Sequence, residues 1–282
     1  MKYSAHSMMW TEKFTEKDLS LLDKLKSFGF DGIEIHLNHP EVLPKEKIKE
    51  KLNQLGLGCT FTATLTKEQN IISPDEQIRK NGVESLKKLV DVVSYFESDC
   101  LAGVIYAAWG EFTGKTRTEK EWNWCKECLS LAAEYAREKG VVLAVEPVNR
   151  YETYFLNTAE DARRLVEEIN HPNVRVHLDT YHLNIEENSF YEAIKIAGDY
   201  LYHLHVCENN RGIPGKGHVD WDGVYKALSE INYQRWAVIE SFVPAIEEVA
   251  RMTAIWRKVA PSADAIARDG LEFLKQKEKS YL

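Results

Sequence analysis

Short apolar runs alternate with helix-period patterns along the whole chain, and this alternation restricts the folds it can adopt. Eight runs have the composition of β-strands: Lys2–Ser7, Gly32–Leu37, Gly58–Thr64, Cys100–Tyr106, Val141–Glu146, Val174–Asp179, Leu201–Val206 and Trp236–Ser241. Amphipathic helical patterns lie between them, among them Glu16–Phe28, Lys45–Leu55, Asp75–Phe96, Glu119–Lys139 and Ala159–Ile169. Near-continuous apolar strands separated by helices are the signature of a parallel sheet covered by helices. Eight such units predict a closed (β/α)₈ TIM barrel rather than an open doubly wound sheet. The first strand-to-helix turns also lack the Gly-x-Gly-x-x-Gly pattern of a dinucleotide fold. No linker or low-complexity run interrupts the chain, so residues 1–282 are read as one barrel domain. Ser73-Pro74-Asp75-Glu76 predicts a helix start, with Ser73 as the cap. Gly56 and Gly140 mark helix ends. The charged tail Lys275–Leu282 is expected to fray.

Composition narrows the function. Residues are 44% hydrophobic and 28% charged, and the net charge is −8. That balance offers no electrostatic footprint for a polyanion, which argues against nucleic acid as the substrate. Met1–Thr11 has no apolar core of signal-peptide length, and no stretch approaches the roughly 20 apolar residues of a membrane span. The five cysteines, Cys59, Cys100, Cys125, Cys128 and Cys207, are odd in number and scattered, so no disulfide framework is expected. Cys125-x-x-Cys128 lies inside an amphipathic helical pattern and reads as two buried thiols. A cytoplasmic location follows as the expectation.

Four polar residues each close an apolar run: Glu146, Asp179, His205 and Glu240. Their spacing is roughly one strand–helix unit, about 30 residues. In a barrel the C-terminal strand ends converge on one mouth, so these side chains can meet around one divalent cation. Three carboxylates and one imidazole suit Mn²⁺, Mg²⁺, Co²⁺ or Fe²⁺ better than a thiolate zinc site. Such an ion can polarise a sugar carbonyl, and two carboxylates on opposite faces of the adjacent carbon can exchange its proton. Glu146 and Glu240 fit that pair. Glu152, His182 and Arg211 lie close in sequence and can hydrogen-bond sugar hydroxyls. Trp109 follows the fourth run and can wall the pocket. Cys207–Gly223, with four glycines and a proline, is long for a βα loop and follows His205 directly. His203, two residues before His205, reads equally as its supporting partner or as a packed barrel histidine. His36 and His39 are expected to border the pocket without being ligands.

Several segments resemble the ketose 3-epimerases, the D-tagatose 3-epimerase and D-psicose (D-allulose) 3-epimerase group of xylose-isomerase-like barrels. They are Glu146-Pro147-Val148-Asn149-Arg150-Tyr151-Glu152, Leu156-Asn157-Thr158, Leu178–Glu187 and Asn210–His218. Phe30–Ile35, Ile72–Asp75 and Ile255-Trp256-Arg257 add weaker matches. The resemblance implies an isomerase that inverts C3 of a free ketose through a cis-enediolate. It implies one Mn²⁺ or Co²⁺ per subunit, with Mg²⁺ also accommodated, held by Glu146, Asp179, His205 and Glu240. It makes Glu146 and Glu240 the acid/base pair, and gives Glu152, His182 and Arg211 the hold on O1, O2 and O3. Trp109 would line the apolar side, and the protein would be a homodimer or homotetramer. Two stretches, Cys207–Asn210 and Thr60–Asn70, depart from the family pattern. The residues alone leave other functions open: an aldose–ketose isomerase acting between C1 and C2, a metal-dependent phosphodiesterase or abasic-site endonuclease, and a sugar-binding protein without turnover. The hydrolase reading needs more histidine ligands than are placed here.

Overall fold

The computed structural model describes residues 1–281. Every predicted apolar run forms a strand: β1 (Lys2–His6), β2 (Gly32–His36), β3 (Gly58–Leu65), β4 (Cys100–Ala108), β5 (Val142–Val145), β6 (Val174–Asp179), β7 (Leu201–His205) and β8 (Trp236–Ile239). The strands are parallel and close in chain order, with β1 pairing to β8 through Lys2↔Trp236 and Ser4↔Val238. Strand β5 ends one residue before Glu146, where Pro147 has no N–H to extend the ladder.

The helices are α1 (Ser20–Phe28), α2 (Lys45–Leu55), α3 (Glu76–Tyr95), α4 (Glu119–Glu138), α5 (Ala159–Ile169), α6 (Thr180–Glu186), α7 (Phe190–Ala197), α8 (Trp221–Glu230), α9 (Glu247–Thr253) and α10 (Ala263–Tyr281). Three expectations need correction. The pattern Glu16–Phe28 is broken, because Thr15 and Asp18 close a separate 3₁₀ turn before α1 begins. Asp75, not Ser73, caps α3: its carboxylate accepts from the Gln77 N–H at 2.7 Å. Pro74 disfavours helical backbone at Ser73, which instead accepts from the Asp75 N–H at 3.1 Å. The tail does not fray within the described residues. Tyr281 and Lys277 both bond Asp222 at 2.6 Å, and the Met1 ammonium meets Glu278 at 2.5 Å. Leu282 lies outside the described residues.

Strand alternation divides the residues between barrel interior and helix-facing exterior. On β2, Ile33 and Ile35 turn outward while Gly32, Glu34 and His36 turn in; on β7, His203 and His205 turn in. At the N-terminal end of the interior, the Trp236 ring fills the space left by two glycines. A Cβ on Gly32 or on Gly58 would lie 2.8 Å from that ring, so neither position admits a side chain. All five cysteines are buried and free, and Cys125 donates to the Tyr106 carbonyl at 3.6 Å. Among the described residues, no helix is long and apolar enough to cross a membrane.

Candidate active site

The four strand-end residues meet at the C-terminal mouth. His205 Nδ1 lies 3.4 Å from Glu240 Oε2 and 3.9 Å from both Glu146 Oε1 and Asp179 Oδ2. Ligand atoms of Glu146, Asp179 and His205 fall within 4.8 Å of one another. His205 Nδ1 and Glu146 Oε1 are buried, and neither has a hydrogen-bond partner. Leaving such atoms unpaired is costly, and each has its lone pairs in a cluster rich in oxygen donors. Three hard carboxylates and one imidazole around a shared space fit a divalent cation of the Mn²⁺, Co²⁺ or Mg²⁺ kind.

The electrostatics point the same way. Burial pushes the Glu146 carboxyl well above its ordinary range, and the Glu240 and Asp179 carboxylates add to this. Glu240 is buried as well, but His205 and Arg211 outweigh burial and hold its carboxyl well below the usual range. Burial also opposes charge on His205, yet Glu240 and Glu34 raise it well above an ordinary histidine. Close buried carboxylates cannot all ionise without compensating positive charge. Here Arg211 supplies one such charge, with Nη1 at 2.6 Å from Asp179 Oδ2 and 2.8 Å from Glu240 Oε2.

Arg211 is placed by the glycine-rich loop. Its φ of 62° is left-handed, and its carbonyl accepts from the Ser241 hydroxyl. Its guanidinium lies 4.1 Å from the Tyr181 ring centre and 5.1 Å from that of Phe242. The loop hangs on buried Glu208, which accepts from the Gly215 N–H at 2.7 Å and the Trp221 indole at 2.8 Å. A Cβ at Gly217 would come within 2.3 Å of the Glu208 carboxylate, so that glycine allows the loop to close on its anchor.

The remaining predicted residues line one partly open pocket, which Trp109, Glu152, His182 and Arg211 share with Glu146 and Glu240. Glu152 accepts from the Trp109 indole N–H at 2.9 Å and from Asn149 Nδ2 at 2.8 Å. The Asn149 backbone N–H donates to His182 Nδ1 at 3.2 Å. A backbone N–H can only donate, so His182 Nδ1 accepts, while Arg211 Nη2 lies 3.4 Å from Nε2. Burial lowers the His182 pKa and favours the neutral form. His36 reaches the cavity wall, whereas His39 stays exposed beside Glu41.

Sequence reasoning missed the residues beneath the mouth. Glu34 on β2 is fully buried and binds both β7 histidines, at 2.6 Å to His203 Nε2 and 2.6 Å to His205 Nε2. The supporting role considered for His203 is therefore made through Glu34. His177 packs edge-on against His205, with ring centres 4.1 Å apart, and its Nδ1 lies 3.5 Å from Glu146 Oε2. The available signal was an ionisable residue in the middle of an apolar strand, in Gly32-Ile33-Glu34-Ile35 and Val174-Arg175-Val176-His177. His177, His203 and His205 also have nitrogen atoms within 4.8 Å of one another. That trio brings no anionic ligand of its own, and Glu34 already engages two of its members.

Comparison with known proteins identifies the family. The family model for xylose isomerase-like TIM barrels matches residues 22–277. An L-ribulose 3-epimerase from Methylomonas sp. is 32% identical, covering 98% of this chain and 98% of its own length. A D-psicose 3-epimerase from Enterocloster bolteae is 34% identical, covering 98% of this chain and 95% of its own. The crystal structure of D-allulose 3-epimerase from Methylomonas sp. in complex with D-allulose superposes with a TM-score of 0.94. It is 31% identical and covers 98% of this chain and 97% of that one. The chain belongs to the xylose isomerase-like TIM barrel family and, within it, to the ketose 3-epimerases.

Proposed function

We propose that this protein epimerises free five- and six-carbon ketoses at C3, interconverting pairs such as D-fructose and D-psicose, D-tagatose and D-sorbose, or ribulose and xylulose. The observation that carries the reading is the meeting of Glu146, Asp179 and Glu240 around His205, whose Nδ1 has no hydrogen-bond partner, beside one pocket. Glu146, Asp179, His205 and Glu240 would hold one Mn²⁺ or Co²⁺. Such an ion polarises the ketose carbonyl and eases loss of the neighbouring C–H proton.

Glu240 and Glu146 then divide the proton work. The cation's charge would keep both carboxylates ionised, so the one that returns a proton to C3 first takes it up from solvent. One removes the C3 proton from one face, and the other delivers a proton to the opposite face of the resulting cis-enediolate. Running the reaction backwards exchanges their parts. His182 and the Arg211 guanidinium hydrogen-bond sugar oxygens, and the guanidinium offsets charge gathering at O2. Glu152, fixed by Trp109 and Asn149, accepts from sugar hydroxyls, while the Trp109 ring excludes water from one side. Retention of the C3 stereocentre with transfer of hydrogen between C1 and C2 would instead be aldose–ketose isomerisation.

The test is a substrate panel. EDTA-stripped protein is reloaded with Mn²⁺, Co²⁺ or Mg²⁺ and given D-fructose, D-psicose, D-tagatose, D-ribulose and L-ribulose, with products separated by chromatography. At least one C3-epimer pair should interconvert, and only with metal. Aldoses as the sole products, or no turnover by folded, metal-loaded protein, would refute the reading. The accompanying expectation of a homodimer or homotetramer is read directly by analytical ultracentrifugation.

A further inference from the structure

Glu34 is a carboxylate with no route to solvent, at 0% exposure. It stands on β2, and β1 and β8 separate that strand from β7. Its Oε2 accepts from His203 Nε2 at 2.6 Å and from the Thr60 hydroxyl at 2.8 Å, and its Oε1 accepts from His205 Nε2 at 2.6 Å. An ionised carboxylate only accepts, so both imidazoles must present Nε2–H to it. That leaves Nδ1 as the one nitrogen of His205 able to offer a lone pair. Nδ1 is the buried atom without a partner that faces Glu146, Asp179 and Glu240.

From this geometry we infer that Glu34 is a positioning residue: it fixes the tautomer and tilt of His205 and so makes Nδ1 the cation-binding atom. His203 and Thr60 serve as the other two anchors of that carboxylate. The inference rests on the ligand set of the proposed function. The clasp crosses the barrel, so the ring is held from the wall opposite its own backbone. Rotation of His205 about its side-chain bonds would break a 2.6 Å charge-assisted bond. An imidazole ligand whose second nitrogen is held by a carboxylate is better oriented and more basic, and loss of such a partner typically weakens metal binding about 10–100-fold.

Two measurements on the full-length protein test this. The first uses wild-type protein with ¹⁵N-labelled histidine, stripped with EDTA and loaded with Zn²⁺ as a diamagnetic probe, and assigns the ring protons by long-range ¹H–¹⁵N correlation. His205 should carry a strongly deshielded proton on Nε2 and none on Nδ1. Metal bound through Nε2, or a proton on Nδ1, would overturn the inference whatever the enzyme's activity. The second is Mn²⁺ affinity by competition with a chromogenic chelator for wild type, Glu34→Gln and Thr60→Val. Glu34→Gln should bind Mn²⁺ about 10–100-fold more weakly while its metal-free form stays folded by circular dichroism, and Thr60→Val should lose less. Affinity within twofold of wild type in a folded Glu34→Gln protein would show that Glu34 only fills space. Failure of wild-type protein to bind either metal would instead refute the ligand set itself, and with it this inference.

Discussion

At the N-terminal end of the barrel interior, the Trp236 ring packs against the bare backbones of Gly32 and Gly58, with Lys2 Nζ 5.3 Å from its centre. At the C-terminal end, Glu146, Asp179, Glu240 and His205 crowd within a few ångströms of one another. Among the described residues, the buried side-chain atoms without hydrogen-bond partners are Glu146 Oε1 and His205 Nδ1 at this end, both His177 nitrogens and His203 Nδ1 beneath it, and Ser4 Oγ and Ser98 Oγ toward the other. The N-terminal end is closed by shape, and a single added carbon is excluded there. The C-terminal end instead gathers buried carboxylates around His205 and Arg211. The contrast shows where this chain invests in stability and where it accepts a stability cost for chemistry.

Substitutions at the two ends should therefore fail in different ways. Glu240→Gln removes one of the two proposed proton carriers, so kcat for C3 inversion should fall about 10²–10⁴-fold while the protein stays folded. Steady-state kinetics with saturating Mn²⁺ checks this, and near-normal turnover would break the division between the ends. Gly32→Ala should do the reverse. Its Cβ would stand 2.6 Å from the Gly58 carbonyl oxygen, so unfolding in urea should show a loss of about 2–3 kcal/mol. Below the melting transition its kcat should match wild type.

The pH response belongs to the active-site end. Burial holds the His36 imidazole at about 3 against its ordinary 6.5, and burial lowers His6 and His177 as well. These groups stay neutral in the folded protein and bind protons once unfolded. The stability they contribute is complete above the unfolded value and is lost as pH falls from 6.5 toward about 3. In EDTA, metal-free protein should lose about 1–2 kcal/mol from His36 alone between pH 7 and pH 5. The difference in urea midpoint between wild type and His36→Gln across that range reads it out, free of the opposite contributions of the raised Glu146 and His205 groups, and a difference that does not change with pH would contradict it. The smallest effect is expected at the pocket wall. Trp109→Phe removes the indole donor to Glu152, and KM should rise about fivefold, equivalent to about 1 kcal/mol, with kcat changed less.

Much of this was legible in the chain. The eight strands follow from apolar runs, and strand ends in a parallel barrel converge on one mouth, so the meeting of Glu146, Asp179, His205 and Glu240 there is readable from the sequence. Helix starts were less so. Ser73 and Asp75 are both good caps, and only the backbone restriction imposed by Pro74 separates them. The charged tail looked free because its partner Asp222 lies far away in sequence, on α8. Glu34 was hidden for a similar reason. Its partners are 169 and 171 residues away, and nothing local distinguishes a carboxylate that crosses the barrel from one that serves its own loop.

The most direct measurement is the fate of the C3 hydrogen in D₂O. Mn²⁺-loaded protein is incubated with D-psicose or L-ribulose, the metal is removed, and product and recovered substrate are analysed by NMR. Deuterium at C3 of the inverted sugar, absent with EDTA and in Glu240→Gln, is the expected result. Deuterium entering at C1 with C3 untouched, or inversion at C3 with no solvent hydrogen incorporated in either sugar, would contradict a two-carboxylate exchange at this site.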